Sequence, residues 1–363
     1  MGVKHIMLHK VTTGMKIAED VYKGSQLVVK KDKEITQEVL DVLRFSSIVS
    51  VAVYDGEDES SAKKEMAAIS AVPSHSEKLR NSETFKKFEE EFNETTETFT
   101  HALNDIAKKN EKISVDELFA SANDIMENAT NTYQLMDILS NIRYFDDSTY
   151  AHSLNVALLA NILGRWLHFD DNRLKKLTVA GMLHDIGKVM IPKEIIQKPG
   201  KLTEEEFQTI KQHPVLGYKL LSSKNVDEEI SFAALMHHEK CDGTGYPTGA
   251  KREQIRDTAK LIAIIDVYEA MTANRRYRDG ICPFPVIRMF EDEGYAKYDP
   301  TYMIPFLRGI ADTYLHNTVL LSDGSRGEII LTNNATPSKP GLLVDGNFID
   351  LAKRSDLSIE KIL

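Results

Sequence analysis

A chain of 363 residues with 42% apolar residues is long enough for two or three folding units, each with its own buried core. Its 55 acidic side chains against 45 basic ones leave a net charge of −10, which argues against DNA, other nucleic acid polymers and anionic membranes as partners. The same balance leaves room for a small anionic ligand at a locally basic or metal-rich site.

Two cysteines, Cys241 and Cys282, are too few for a disulfide framework and point to a reducing, cytoplasmic compartment. Residues 1–10 lack an apolar signal core. No stretch reaches the roughly 20 apolar residues of a membrane span. Arg165 interrupts the best run, 156–167.

Residues 1–55 read as a small N-terminal α+β domain. Lys16–Tyr22 and Gln26–Lys30 are short β-branched runs around a Gly24-Ser25 turn, and Ser50–Tyr54 reads as a further strand. Between them Ile35, Val39, Leu40 and Leu43 share one helical face. Residues 56–75, acidic and Ser-rich at their start, are assigned to a linker. Residues 76–134 read as a helical connecting region, with Phe85, Phe88 and Phe92 at i, i+3, i+7 and Leu118, Ala122 and Ile125 at i, i+4, i+7.

The helical pattern continues over 135–315, where Thr203–Glu206 forms a capping box after the Pro199-Gly200 turn. From 316 to 363 the runs Val319–Leu321, Glu328–Leu331 and Leu342–Val344 are separated by Asp323-Gly324, Asn333-Asn334 and Asp345-Gly346, which predicts a small antiparallel sheet. The fold class is therefore mainly α, with a small α+β domain before the helices and a short C-terminal β segment. No internal repeat is present.

Six of the eleven histidines fall between His152 and His238, in the most apolar helical part. His168, beside Asp170 and Asp171, reads as a surface residue. His152, His184, His213, His237 and His238, with Asp185 and Asp266, are mostly set in runs that should be buried. Burying a carboxylate there is costly unless it is paired or binds a metal. A single buried histidine is usually a satisfied core residue, so the joint pattern carries the metal reading.

Imidazole with carboxylate suits iron, manganese, zinc or nickel. On a helix, adjacent side chains such as those of His184 and Asp185 diverge by about 100°. They meet one cluster only if other helices surround them. A carboxylate bridges two cations where a neutral imidazole binds one, so an aspartate shared between histidine sets suits a two-metal site.

At these residues the sequence resembles the HD superfamily of metal phosphohydrolases, and more narrowly the HD-GYP family. His184-Asp185-Ile186-Gly187-Lys188 and the segment His237 to Pro247, with its Gly245-Tyr246-Pro247, carry the resemblance over about residues 135–315. It implies an HD-type helical bundle that acts as a cyclic di-GMP phosphodiesterase, giving pGpG and in some members GMP. It implies two divalent transition-metal ions, iron or manganese favoured, with zinc or nickel as alternatives. One ion would take His152, His184, Asp185 and Asp266; the other would take His213, His237 and His238, with Asp185 shared. The nucleophile implied is a hydroxide activated by both ions.

Lys188, Arg275 and Arg278 match the family's phosphate-gripping positions, and Tyr246 is suited to a guanine base or a phosphate. Read without the resemblance, Arg275 and Arg278 fit a solvated face and Tyr246 simple packing equally well, while Lys188, one helical turn after Asp185, can share its face and is read as a surface lysine only in the minor alternative. Cys241 sits at a variable position of the motif and reads as a small residue without a role. Three-metal members carry a glutamate four residues before the first histidine, where this chain has Ser148, with Asp146 and Asp147 out of register. Two metals are therefore expected. The alternatives left open are a receptor or docking module without turnover and a phosphodiesterase for another cyclic dinucleotide. Open too are diguanylate cyclase-type or other signalling partners, and a homodimer or a signal-transmitting role through residues 76–130.

Overall fold

The computed structural model describes residues 3–7, 11–23, 26–36, 39, 43, 50–54, 79–109, 112–127, 129, 131–142, 149–198, 202–273 and 280–363. The chain divides into two compact units, residues 1–73 and 74–363.

In the first unit, β1 (Val3–Met7), β2 (Val21–Lys23), β3 (Gln26–Val29) and β4 (Ser50–Tyr54) form two antiparallel pairs, β1 with β4 and β2 with β3. Val11, Ile17, Val21, Val29, Ile35, Leu43, Val51 and Val53 make its core. The strand expected over Lys16–Tyr22 is shorter than its β-branched run. Lys16 and Ile17 make only isolated bridges, to Glu34 and Val53. The helix expected between Ile35 and Leu43 lies mostly outside the described residues, and the 56–75 linker lies wholly outside them.

The second unit is helical. In α1 (Glu83–Lys109) the phenylalanine spacing produces one apolar stripe, and Phe85, Phe88, Phe92, Phe99, Leu103 and Ile106 are all buried on it. Each such side chain taken from water contributes about 1.5–3 kcal/mol to folding. In α2 (Val115–Glu127) Ala122 and Ile125 are buried, and α3 (Thr132–Ile142) buries Leu135, Met136, Ile138 and Leu139.

At the centre lie α4 (Thr149–Trp166) and α5 (Asp171–Leu183), packed against one another. Both are buried over most of their circumference, as expected of helices without a polar stripe. Asp170 caps α5 by accepting the Arg173 N–H. Gly181 marks their closest approach: a Cβ there would lie 2.7 Å from the Ala157 Cα.

A 3-10 turn, Ile186–Met190, follows α5. Then come α6 (Glu204–Ile210), α7 (His213–Ser223), α8 (Glu228–Met236), α9 (Asp257–Thr272), α10 (Pro283–Lys297) and α11 (Pro300–Asp312). The capping box at the start of α6 is present: Glu206 N–H donates to Thr203 Oγ1, and Thr203 N–H donates to Glu206 Oε2.

The chain ends in β5 (Thr318–Leu321), β6 (Arg326–Leu331), β7 (Gly341–Val344), β8 (Asn347–Asp350) and β9 (Ile359–Ile362), ordered β8-β7-β6-β5-β9. Each neighbouring pair is antiparallel. Val319, Leu321, Ile329, Leu342 and Ile359 join the same core as the helices. β8 and β9 are the two edges of this sheet. Asn347 and Phe348 of β8 and Glu360 and Lys361 of β9 are exposed in adjacent pairs, so neither strand carries an alternating burial pattern. Among the described residues, no helix is long and apolar enough to cross a membrane.

Candidate metal centre

Five places in the helical unit deliver the site. His152 lies in the first turn of α4, His184 and Asp185 follow the end of α5, and His213 opens α7. His237 and His238 follow α8, while Asp266 sits mid-way along α9.

The local chain path explains the meeting of His184 and Asp185. The α-helix stops at Leu183, so the divergence of about 100° expected on a continuous helix does not apply. Asp185 leaves helical geometry at φ −98°, ψ 7° and starts the 3-10 turn. That turn is pressed against α7: a Cβ on Gly187 would lie 1.9 Å from the His213 carbonyl oxygen. Only glycine allows this approach, and the approach sets Asp185 beside His213.

The carboxylate of Asp185 faces two ways. Its Oδ2 lies 3.3 Å from His184 Nε2 and 3.9 Å from His152 Nε2. Its Oδ1 lies 3.2 Å from His213 Nε2 and 3.7 Å from His237 Nε2. Two groups of donor atoms result, each within a 4.8 Å spread: His152, His184 and Asp185, and Asp185, His213, His237 and His238. Asp266 stands beside them, with Oδ1 3.1 Å from His152 Nε2 and Oδ2 3.9 Å from His238 Nδ1. His184, Asp185, His213, His237 and Asp266 are buried, and His152 and His238 are half-buried.

The hydrogen bonds behind the rings aim their free nitrogens inward. His184 Nδ1 donates to the Gly181 carbonyl at 2.8 Å, His213 Nδ1 to Ile210 at 2.7 Å, and His237 Nδ1 to Ala234 at 2.9 Å. A carbonyl only accepts, so each Nδ1 carries the proton and each Nε2 presents a lone pair to the cluster. His213 Nε2 and His237 Nε2 thus face each other at 3.2 Å as two acceptors. His184 Nε2 and Asp185 Oδ1 are buried without a hydrogen-bond partner. Buried acceptors turned on one another call for a cation, and this donor set fits divalent metal binding.

Electrostatics agree. Burial pushes the Asp185 carboxyl up, but Lys188 and the imidazoles of His184 and His213 outweigh it and hold Asp185 well below the usual carboxylate range. Asp266 is held down in the same way, burial being overcome by His152. Burial lowers His237 to about 4 and, with His237 beside it, lowers His238 too, so both are neutral with lone pairs available. For His152, burial opposes charge, yet Glu269 and Asp266 raise it to about 10. A cation at its Nε2 would displace the proton that faces Asp266 and leave the Nδ1 proton donated to Glu269.

Two further residues of the sequence shape the site and had been given no role. Glu269 lies one turn after Asp266 on α9, and its Oε2 accepts from His152 Nδ1 at 2.5 Å. Its Oε1 accepts from Asn155 Nδ2 at 3.3 Å. A second carboxylate at i+3 in an apolar helix was the signal available. Glu239 clamps the glycine loop: Oε1 accepts the N–H and hydroxyl of Thr248, and Oε2 accepts the Ala250 N–H.

Of the expected substrate residues, Lys188 meets Asp185, its Nζ 2.5 Å from Oδ2. Tyr246 stacks on His238 with centroids 4.7 Å apart at 27°. Burial, then the carboxylates of Asp185 and Asp266, raise its phenol pKa. Arg275, Arg278, Asp146, Asp147 and Ser148 lie outside the described residues. Cys241 is buried in the loop, where its N–H donates to the Lys297 carbonyl, and His168 is exposed.

A helical unit that closes histidines and aspartates from five places into one buried cluster defines a class of metal-site proteins. Residues 125–302 match the model of the HD domain family. Over 193 residues the chain is 37% identical to the cyclic di-GMP phosphodiesterase PA4108 of Pseudomonas aeruginosa, covering 53% of this chain and 46% of that one. Over 196 residues it is 34% identical to the cyclic di-GMP phosphodiesterase response regulator RpfG of Xanthomonas campestris, covering 53% and 51%. It is also 32% identical, over 152 residues, to the 3'3'-cGAMP-specific phosphodiesterase 3 of Vibrio cholerae, covering 42% and 33%. The chain thus spans about half the length, or less, of these curated relatives. Residues 125–302 are thus an HD domain by similarity, and the His184-Asp185 and Gly245-Tyr246-Pro247 segments carry the resemblance to the HD-GYP family.

Proposed function

We propose that the protein is a metal-dependent phosphodiesterase that hydrolyses cyclic di-GMP to pGpG. The observation that carries this reading is Asp185, whose two oxygens face separate histidine sets. When bound there, two divalent ions, iron or manganese by preference, would supply an activated water and offset charge on the phosphoryl oxygens.

The chain's own residues then divide the work. His152, His184 and Asp266 hold one side of the cluster, and His213, His237 and His238 hold the other. Lys188, Arg275 and Arg278 are assigned to the phosphate, and Tyr246 to a guanine base or the phosphate. Water oxygen bonds to phosphorus, the bond to the 3′ oxygen breaks, and that oxygen leaves as a hydroxyl. One such cleavage opens the ring to the linear dinucleotide pGpG. A further cut to GMP, docking to a diguanylate cyclase-type partner and pairing of two copies belong to the same proposal as secondary features.

The relative named as 3'3'-cGAMP-specific favours a second reading, in which the substrate is a mixed cyclic dinucleotide. The experiment is a product assay on metal-loaded protein with cyclic di-GMP and 3'3'-cGAMP in parallel. The expected result is faster loss of cyclic di-GMP with pGpG as the first product. Preference for 3'3'-cGAMP transfers the assignment to the second reading, and no cleavage of either leaves only a binding role.

A further inference from the structure

Lys211 lies between the end of α6 and the start of α7, two residues before His213. Its Nζ stands 4.8 Å from the ring centroid of Tyr246 and 5.7 Å from that of Phe207. Both distances are within cation–π range. Tyr246 in turn stacks on His238, so the ammonium is one ring away from the cluster. Phe207 is 45% exposed, so the outer wall of this lysine site is an open aromatic face.

The charge of Lys211 is uncompensated among the described residues, where no carboxylate reaches it. Its neighbours differ: Lys188 is paired with Asp185 at 2.5 Å and Lys198 with Glu206 at 2.6 Å. Ring faces attract an ammonium but do not neutralise it. In a chain of net charge −10, an unpaired cation held in place beside the His/Asp cluster is poised for an anion that comes with the substrate.

We infer that Lys211 binds the second, non-reacting phosphate of a cyclic dinucleotide. The inference rests on the proposed function above. A cyclic dinucleotide carries two phosphodiesters, and when one lies at the His/Asp cluster the other needs a partner nearby. Lys211 lies close enough to serve, and its two ring walls fix the ammonium without consuming its donors. The exposed face of Phe207 is then available to a base. Lys211 acts here as a positioning residue, contributing to substrate affinity and not to bond breaking.

The test compares wild type, Lys211→Ala and Lys211→Arg, all metal-loaded, on cyclic di-GMP and on bis(p-nitrophenyl) phosphate, a diester with a single phosphate. Lys211→Ala should raise KM for cyclic di-GMP by about tenfold with kcat little changed, the loss of one charge-assisted contact. Lys211→Arg should restore most of that affinity, and both variants should match wild type on the single-phosphate diester. Equal losses on both substrates would show a merely structural role beside His213 and overturn the inference, as would an unchanged KM. A wild type that leaves cyclic di-GMP uncut while cutting the simple diester overturns the substrate reading instead, and the inference with it.

Discussion

The carboxylate of Asp185 and the imidazole of His152 are held by different means. Asp185 is fixed by backbone, because the glycine two residues on lets its turn press against α7. His152 is fixed by a side chain, the Glu269 carboxylate behind its Nδ1. A carboxylate behind a ligating imidazole sets its tautomer and raises its basicity, and removing such a partner weakens metal affinity by about 10–100-fold. Glu269→Gln should therefore shift the midpoint of a metal titration to higher concentration by that factor, while circular dichroism stays unchanged. A midpoint equal to wild type would make Glu269 a packing residue only. Glu269 escaped sequence reading because its role depends on a partner 117 positions away. The histidines were conspicuous because imidazole is out of place in apolar runs.

Among the elements, the 3-10 turn after α5 does most to shape the cluster. It packs closely on α7, so Asp185 and His213 are positioned by one contact. Gly187→Ala forces a Cβ into the His213 carbonyl. Overpacking of this kind costs about 1–3 kcal/mol. The expected outcome is a lower denaturant midpoint together with reduced metal content. Normal metal content in a destabilised variant would separate the turn from the site.

At this scale the sequence told most where apolar spacing was regular. The phenylalanines of α1 and the capping box of α6 are local signals, and the structure has both elements. The edge strands β8 and β9 were not legible, because edge position is a property of the whole sheet. The stop of α5 between Leu183 and Asp185 was missed as well. No proline or capping glycine marks it, and contact with α7 decides it.

For the whole molecule, the acidic balance and the metal reading are compatible because charge is distributed unevenly. Asp185 and Asp266 are buried among five imidazoles, and cations there would offset the carboxylates that folding has taken out of water. The helices around that cluster and the five-stranded sheet share a single core, so the site rests on a continuous apolar body.

The most direct measurement is a count of divalent cations per chain, by elemental analysis of anaerobically purified protein, beside the Asp185→Ala variant. The expected result is two cations per wild-type chain and loss of both from Asp185→Ala, because one carboxylate serves both groups. A wild type that holds no cation after reconstitution, or an Asp185→Ala variant that keeps two, would contradict it.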